Sequence, residues 1–238
     1  MEATEREIEA FRARVARVRS ELDAAAQGRP YTLLAATKTQ SAEVINLLPE
    51  VGINDYGENR VQEWMEKRVK IDQSLRFHQI GRLQSNKIKY IIEHVVLIHS
   101  VDKLELAQDI DKQARRHGRR VDILLEVNTA REAQKGGVAP ENLGQLYESC
   151  LGLEGVRVRG LMCMAPNTPD EGVVRRTFAQ ARSLFAGLAA QDKNVDILSM
   201  GMSQDARIAL EEGSTLVRLG TSLFGRRAGY DNTGTEGK

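Results

Sequence analysis

Val95-Val-Leu-Ile98, the stretch 103–116 and Val121-Asp-Ile-Leu-Leu-Glu-Val127 read as one strand, one helix and a second strand. The outer runs are short, apolar and β-branched, as buried strands are. The middle stretch is amphipathic and long enough for a helix. A helical crossover of this kind joins parallel strands. Outward from this unit the rhythm repeats. Thr32-Leu-Leu-Ala-Ala-Thr37, Ile53-Asn-Asp-Tyr56 and Leu75-Arg-Phe-His-Gln-Ile80 come before it. Val156-Arg-Val-Arg-Gly-Leu-Met162, Val195-Asp-Ile-Leu-Ser199 and Thr215-Leu-Val-Arg-Leu219 come after it. Further amphipathic stretches occupy 42–48, 61–69 and 173–188. Eight such units in 238 residues are the arithmetic of a (β/α)8 barrel, for which roughly 250 residues is typical. A doubly wound sheet is the alternative that alternation alone leaves open.

Ahead of the first strand, Ile8, Phe11, Val15, Val18 and Leu22 recur at helical spacing, and Gln27-Gly28-Arg29-Pro30 ends the run. The expectation is a single-domain (β/α)8 TIM barrel over residues 1–227, with an extra N-terminal helix (1–27) packed on it. Residues 228–238 are polar, Gly-containing and aperiodic, and read as a disordered tail.

The formal net charge is +1, with 34 Lys+Arg against 33 Asp+Glu. That balance argues against a nucleic-acid binder, which needs a basic excess. Tyr90-Ile-Ile-Glu-His-Val-Val-Leu-Ile98 is interrupted by Glu93 and His94, so no membrane span is expected. The charge-dense N-terminus has no signal-peptide core. Cys150 and Cys163 give neither metal spacing nor a disulfide framework, and read as two reduced, buried thiols in a cytoplasmic protein.

Barrel enzymes and binding proteins place their chemistry at the C-terminal strand ends. The polar residues that follow the apolar runs are Lys38, Asn59, His78 with Gln79, Ser100, Asn128, Ser203, and Thr221 with Ser222. Strand seven runs into Ser199-Met-Gly-Met-Ser203 and strand eight into Arg218-Leu-Gly-Thr-Ser222. Paired Gly/Ser/Thr loops after strands seven and eight favour a phosphate, because glycine admits close backbone approach and free N–H groups attract anions. Gly201 and Gly220 could equally serve tight turns. Lys38 shares a strand face with Leu34 and Ala36, and a partly desolvated lysine in a barrel mouth is an amine nucleophile toward aldehydes. Arg218 lies on the face of Leu216 and Gly220, where a buried guanidinium needs an acceptor. An amine, a phosphate cradle and an inward cation together suit a phosphorylated aldehyde such as pyridoxal 5′-phosphate (PLP).

These residues also sit in recognisable motifs. Ala36-Thr-Lys-Thr-Gln40, Tyr56-Gly-Glu-Asn-Arg-Val-Gln-Glu63, Phe77-His-Gln-Ile-Gly-Arg-Leu-Gln-Ser-Asn-Lys87, Leu198-Ser-Met-Gly-Met-Ser203 and Gly213-Ser-Thr-Leu-Val-Arg-Leu-Gly-Thr221 occur in order along the chain. In them the sequence closely resembles the pyridoxal phosphate homeostasis proteins, small relatives of the alanine racemase barrel. The resemblance implies PLP held as an internal aldimine on Lys38. Ser203, Gly220 and Thr221 would hold the phosphate, Arg218 would face the pyridine nitrogen, Asn59 would lie beside the cofactor, and His78 would be its neighbour on strand three. Where the family often reads Gly-His-Leu-Gln, this chain has Gly81-Arg82-Leu83-Gln84.

The implied function is to carry or buffer PLP in vitamin B6 and amino-acid homeostasis, without robust turnover and with PLP-dependent apoenzymes as transient partners. An arginine at the pyridine nitrogen disfavours its protonation and weakens the ring as an electron sink. The alternative is an amino-acid racemase, which needs a second acid/base opposite the lysine. Tyr230 is the only tyrosine after strand eight, so that group and the relatives' dimer interface are not expected, and a monomer is. A Schiff-base aldolase is disfavoured because strand six contains no lysine.

Overall fold

Leu33 and Ala35 face outward against helices while Leu34 faces inward, the period-two alternation that lets one strand serve two cores. In the computed structural model, which describes residues 5–130, 132 and 136–225, this pattern closes into a barrel. The strands are β1 (Thr32–Ala36), β2 (Asp55–Glu58), β3 (Arg76–Gln79), β4 (Val95–Val101), β5 (Val121–Glu126), β6 (Val156–Met162), β7 (Ile197–Ser199) and β8 (Leu216–Leu219). All neighbours are parallel, and Thr32 to Ala35 of β1 pair with Leu216 to Leu219 of β8 to complete the ring. The expected (β/α)8 TIM barrel is therefore the fold, and the doubly wound sheet is excluded.

The outer core lies between sheet and helices. The helices are α1 (Glu5–Ala26), α2 (Ala42–Ile45), α3 (Val61–Lys67), α4 (Ile88–Ile91), α5 (Leu104–Arg116), α6 (Leu143–Leu151), α7 (Glu171–Ala189), α8 (Ala206–Glu211) and α9 (Thr221–Phe224). Inside the barrel, Leu34, Leu97, Leu124, Met162 and Leu216 form a second, smaller apolar cluster. The N-terminal helix α1 buries Phe11, Val15, Val18 and Leu22, each worth about 1.5–3 kcal/mol if fully buried. Phe11 stacks on Phe224 at 5.8 Å, and Arg14 donates to the Leu223 carbonyl at 3.1 Å. The helix thereby covers the last unit of the barrel.

Most strands are one or two residues shorter than their sequence reading, and two are displaced or extended. β2 begins and ends two residues later than 53–56, running through Gly57 and Glu58. A carboxylate usually reads as the end of a strand; here Glu58 is fully buried because Lys67 neutralises it at 2.7 Å. β4 continues three residues past Ile98 through His99 and Ser100, both buried and hydrogen-bonded. Cys150 and Cys163 are buried free thiols, and burial pushes them up to about 11 and about 12. No helix among the described residues is long and apolar enough to cross a membrane. The tail at 228–238, Tyr230 included, lies outside the described residues.

Candidate functional site

Four adjacent strands, β7, β8, β1 and β2, end side by side around the barrel and carry all but one of the expected site residues. Lys38 stands two residues beyond β1, exposed, in a turn. Its turn is clamped from below. Lys67 of α3 donates to the carbonyls of Thr37 at 3.2 Å and Gln40 at 3.0 Å. The same ammonium pairs with Glu58 at 2.7 Å and Glu63 at 3.1 Å. Thr37 donates its hydroxyl to Glu58 Oε1 at 2.5 Å, and the Thr39 N–H donates to Glu63. Thr39 sits at φ +64, a left-handed conformation that a β-branched residue adopts only under constraint. Burial raises the Glu58 pKa, against the pull of Lys67. Glu58 and Glu63 lie within one of the motifs above, but the sequence alone gave neither a role. The signal was the Glu63/Lys67 pair at i,i+4, which places a cation under the turn.

On the other side, β7 and β8 build a cradle from neutral donors. The N–H groups of Gly220 and Ser222 donate to Ser203 Oγ at 3.3 and 3.2 Å, and Ser222 Oγ joins it at 3.1 Å. Thr221 opens α9 and is exposed. Gly201, at φ +97, lets the β7 loop press onto α8, where a Cβ would lie 2.6 Å from Ala209 Cβ. Its carbonyl accepts from the Arg218 N–H at 3.0 Å. Backbone and hydroxyl donors gathered at one point are the donor set that a phosphate takes.

Arg218 of β8 is buried, with one amino group donating to Ser199 Oγ of β7 and the other to the Cys163 carbonyl beyond β6 at 3.2 Å. Burial lowers its pKa, opposed by Cys163, Asp205 and Glu126. Two amino-group contacts leave further N–H donors of the guanidinium for a ligand acceptor. Asn59 is exposed at the end of β2, and its backbone abuts Gly81, where a Cβ would lie 2.5 Å from the Asn59 carbonyl oxygen. Asn59 O also accepts from Gln79 Nε2 at 3.1 Å.

His78 does not join this group. It lies within β3, buried, with Nε2 2.9 Å from Asp55 Oδ1 and Nδ1 3.0 Å from His99 Nε2. Both ring nitrogens are occupied by protein partners. Sequence reasoning missed His99 and Glu126. Glu126 ends β5 at the mouth, where burial, then Asp102, pushes its carboxyl up to about 7 against Arg218 and Arg82.

The chain matches the family model for the alanine racemase N-terminal domain over residues 7–228. It is 48% identical over 198 residues to a pyridoxal phosphate homeostasis protein of Aquifex aeolicus, covering 82% of this chain and 86% of that protein. The structure of PipY from Synechococcus elongatus with PLP bound aligns with a TM-score of 0.81 at 36% identity, over 90% of this chain and all of PipY. Alanine racemase of Clostridium difficile, at 16% identity and TM-score 0.75 over 57% of its length, shares the fold. The chain belongs to the pyridoxal phosphate homeostasis protein family, on the barrel of the alanine racemase N-terminal domain.

Proposed function

We propose that this protein binds pyridoxal 5′-phosphate at the mouth of its barrel and carries or buffers it, without robust catalytic turnover. One observation carries the reading: β8, whose end builds the hydroxyl and N–H cradle with β7, pairs with β1, which leads into the clamped turn of Lys38, and β8 also carries a buried guanidinium. The residues fit the group. Ser203, Gly220 and Thr221 hold the phosphate, Lys38 holds the aldehyde carbon through its amine, Arg218 donates to the ring nitrogen, and Asn59 lines the exit of β2. The family membership and the PLP-bound PipY support the same assignment. When bound, PLP supplies an electrophilic carbonyl and an electron-withdrawing ring. A guanidinium donor at the ring nitrogen keeps that nitrogen unprotonated and favours storage over carbanion chemistry.

In this reading residues 1–227 form the cofactor-binding barrel, the protein is a cytoplasmic monomer, and PLP-dependent apoenzymes receive the cofactor transiently. The test is the visible absorption spectrum of the purified protein beside Lys38→Ala, followed by borohydride reduction and peptide mapping. A yellow wild type, a mutant without its band and a label on the Lys38 peptide are expected. A wild type that stays colourless after PLP is added overturns the reading. Racemisation of alanine at enzymic rates would replace storage by the racemase alternative.

A further inference from the structure

The inside of the barrel contains a line of polar groups among its leucines. From Arg218 on β8 it passes to Ser199 on β7, to His99 on β4, to His78 on β3 and to Asp55 at the start of β2. Each of these residues is at most 5% exposed. The contacts beyond Arg218 measure 3.1 Å from Ser199 Oγ to His99 Nδ1, 3.0 Å from His99 Nε2 to His78 Nδ1, and 2.9 Å from His78 Nε2 to Asp55 Oδ1. At the far end Arg76, on the N-terminal face, pairs with Asp55 Oδ2 at 2.5 Å and is itself exposed.

The donors order themselves. A guanidinium can only donate and a carboxylate can only accept, so Ser199 Oγ accepts from Arg218 and Asp55 accepts from His78; with both rings neutral, Ser199 gives its own hydrogen to His99 Nδ1. His99 then bears its proton on Nε2 and donates it to His78 Nδ1. His78 bears its proton on Nε2 and donates it to Asp55, which as a carboxylate only accepts. Both imidazoles are neutral in this arrangement. Burial lowers the pKa of His78 against the pull of Asp55, and lowers His99 further with help from His78 and Arg218. Asp55 stays ionised because His78 and Arg76 outweigh its burial. Every hydrogen bond therefore points the same way, from the cation at the mouth to the carboxylate at the opposite end. Aligned hydrogen bonds in a low-dielectric interior polarise one another.

We propose that Ser199, His99, His78 and Asp55 are positioning residues that hold Arg218 as an oriented donor toward the pyridine nitrogen of PLP, so that the N-terminal face of the barrel is electrically coupled to the cofactor. The proposal rests on the cofactor reading given above. It also assigns His78 an action on the cofactor through three intervening residues.

Two measurements test it. In the cofactor-free protein, nitrogen NMR of the histidine rings at pH 7 should show His78 and His99 neutral and protonated on Nε2. A ring found charged, or protonated on Nδ1, overturns the chain of donors whether or not PLP binds. In the PLP-loaded protein, Ser199→Ala and Asp55→Asn should each shift the absorption band of the bound cofactor, with Ser199→Thr restoring the wild-type band. PLP affinity should fall about tenfold in Ser199→Ala, the order of one hydrogen bond to a charged group. Unchanged bands in both variants at full PLP occupancy overturn the coupling. A wild type that takes up no PLP overturns the cofactor assignment alone, and the ring nitrogens still decide the donor order. Should one variant fail to fold, the band of the other decides the coupling, and the NMR of the wild type decides the donor order.

Discussion

The two sides of the barrel mouth are built from different materials. Around Lys38, β1 and β2 use buried charge: Lys67 meets two carboxylates and two carbonyls within 3.2 Å. Around Ser203, β7 and β8 use neutral hydroxyls and backbone N–H groups. A buried ion holds its surroundings firmly because no water can replace a lost partner. Neutral donors can be exchanged for water or for an incoming anion at little net cost. The turn of Lys38 is thus clamped, and the loop of Ser203 is not; under the proposed function that leaves the amine fixed and the anion site exchangeable.

Removing a charge from the clamped side is the harshest way to break this contrast. Glu58→Ala leaves the Lys67 ammonium and the Thr37 hydroxyl without their buried partner, and urea unfolding should report a loss of about 3–5 kcal/mol. A change within about 1 kcal/mol would mean that Lys67 redirects wholly to Glu63 and that the clamp has a spare. Next comes Glu126, whose carboxyl is raised from its ordinary 4.5 to about 7. A raised carboxyl means the folded state binds the extra proton, so its contribution to stability is greatest below 4.5 and falls as pH rises to about 7. Glu126→Gln should remove that decline, at most about 3 kcal/mol, when unfolding curves at about pH 5 and about pH 8 are compared with wild type.

On the neutral side, Ser203→Ala should change stability by only about 0.5–1.5 kcal/mol while weakening PLP uptake about tenfold. A stability loss like that of Glu58→Ala would erase the distinction between the two sides. The smallest effect is expected at Thr39, held at φ +64. Thr39→Gly relieves the left-handed strain, about 1–2 kcal/mol, and adds back about 0.5–1 kcal/mol of unfolded-state entropy. A net gain of about 0.5 kcal/mol in thermal unfolding is the expected result.

The fold was legible in the sequence because parallel strands buried on both faces leave continuous apolar runs, and eight of them recur. The β7–β8 cradle was legible as a cluster for a related reason, since Gly201, Ser203, Gly220 and Thr221 are small residues directly after strands. The clamp was harder to read. Glu58 looks like a loop residue until Lys67 is seen beneath it, and that contact depends on how α3 packs back onto β2. The interior polar line was hidden for another reason. His78, His99, Ser199 and Arg218 are spread over four strands, and their meeting depends on register around a closed barrel. One trace of it did exist: Leu97 and His99, and Leu216 and Arg218, each share the inward parity of their strand, which marks polar residues among core positions.

The stack of Phe11 on Phe224 joins α1 to α9, just as β1 pairs with β8. A chain being synthesised from its N-terminus therefore holds α1 and an open β1 edge in waiting until almost the whole barrel has emerged. Contacts of such sequence separation are slow to form, and an unpaired edge invites other strands meanwhile. Closure of the ring is thus also a timing constraint, met only when the last unit arrives.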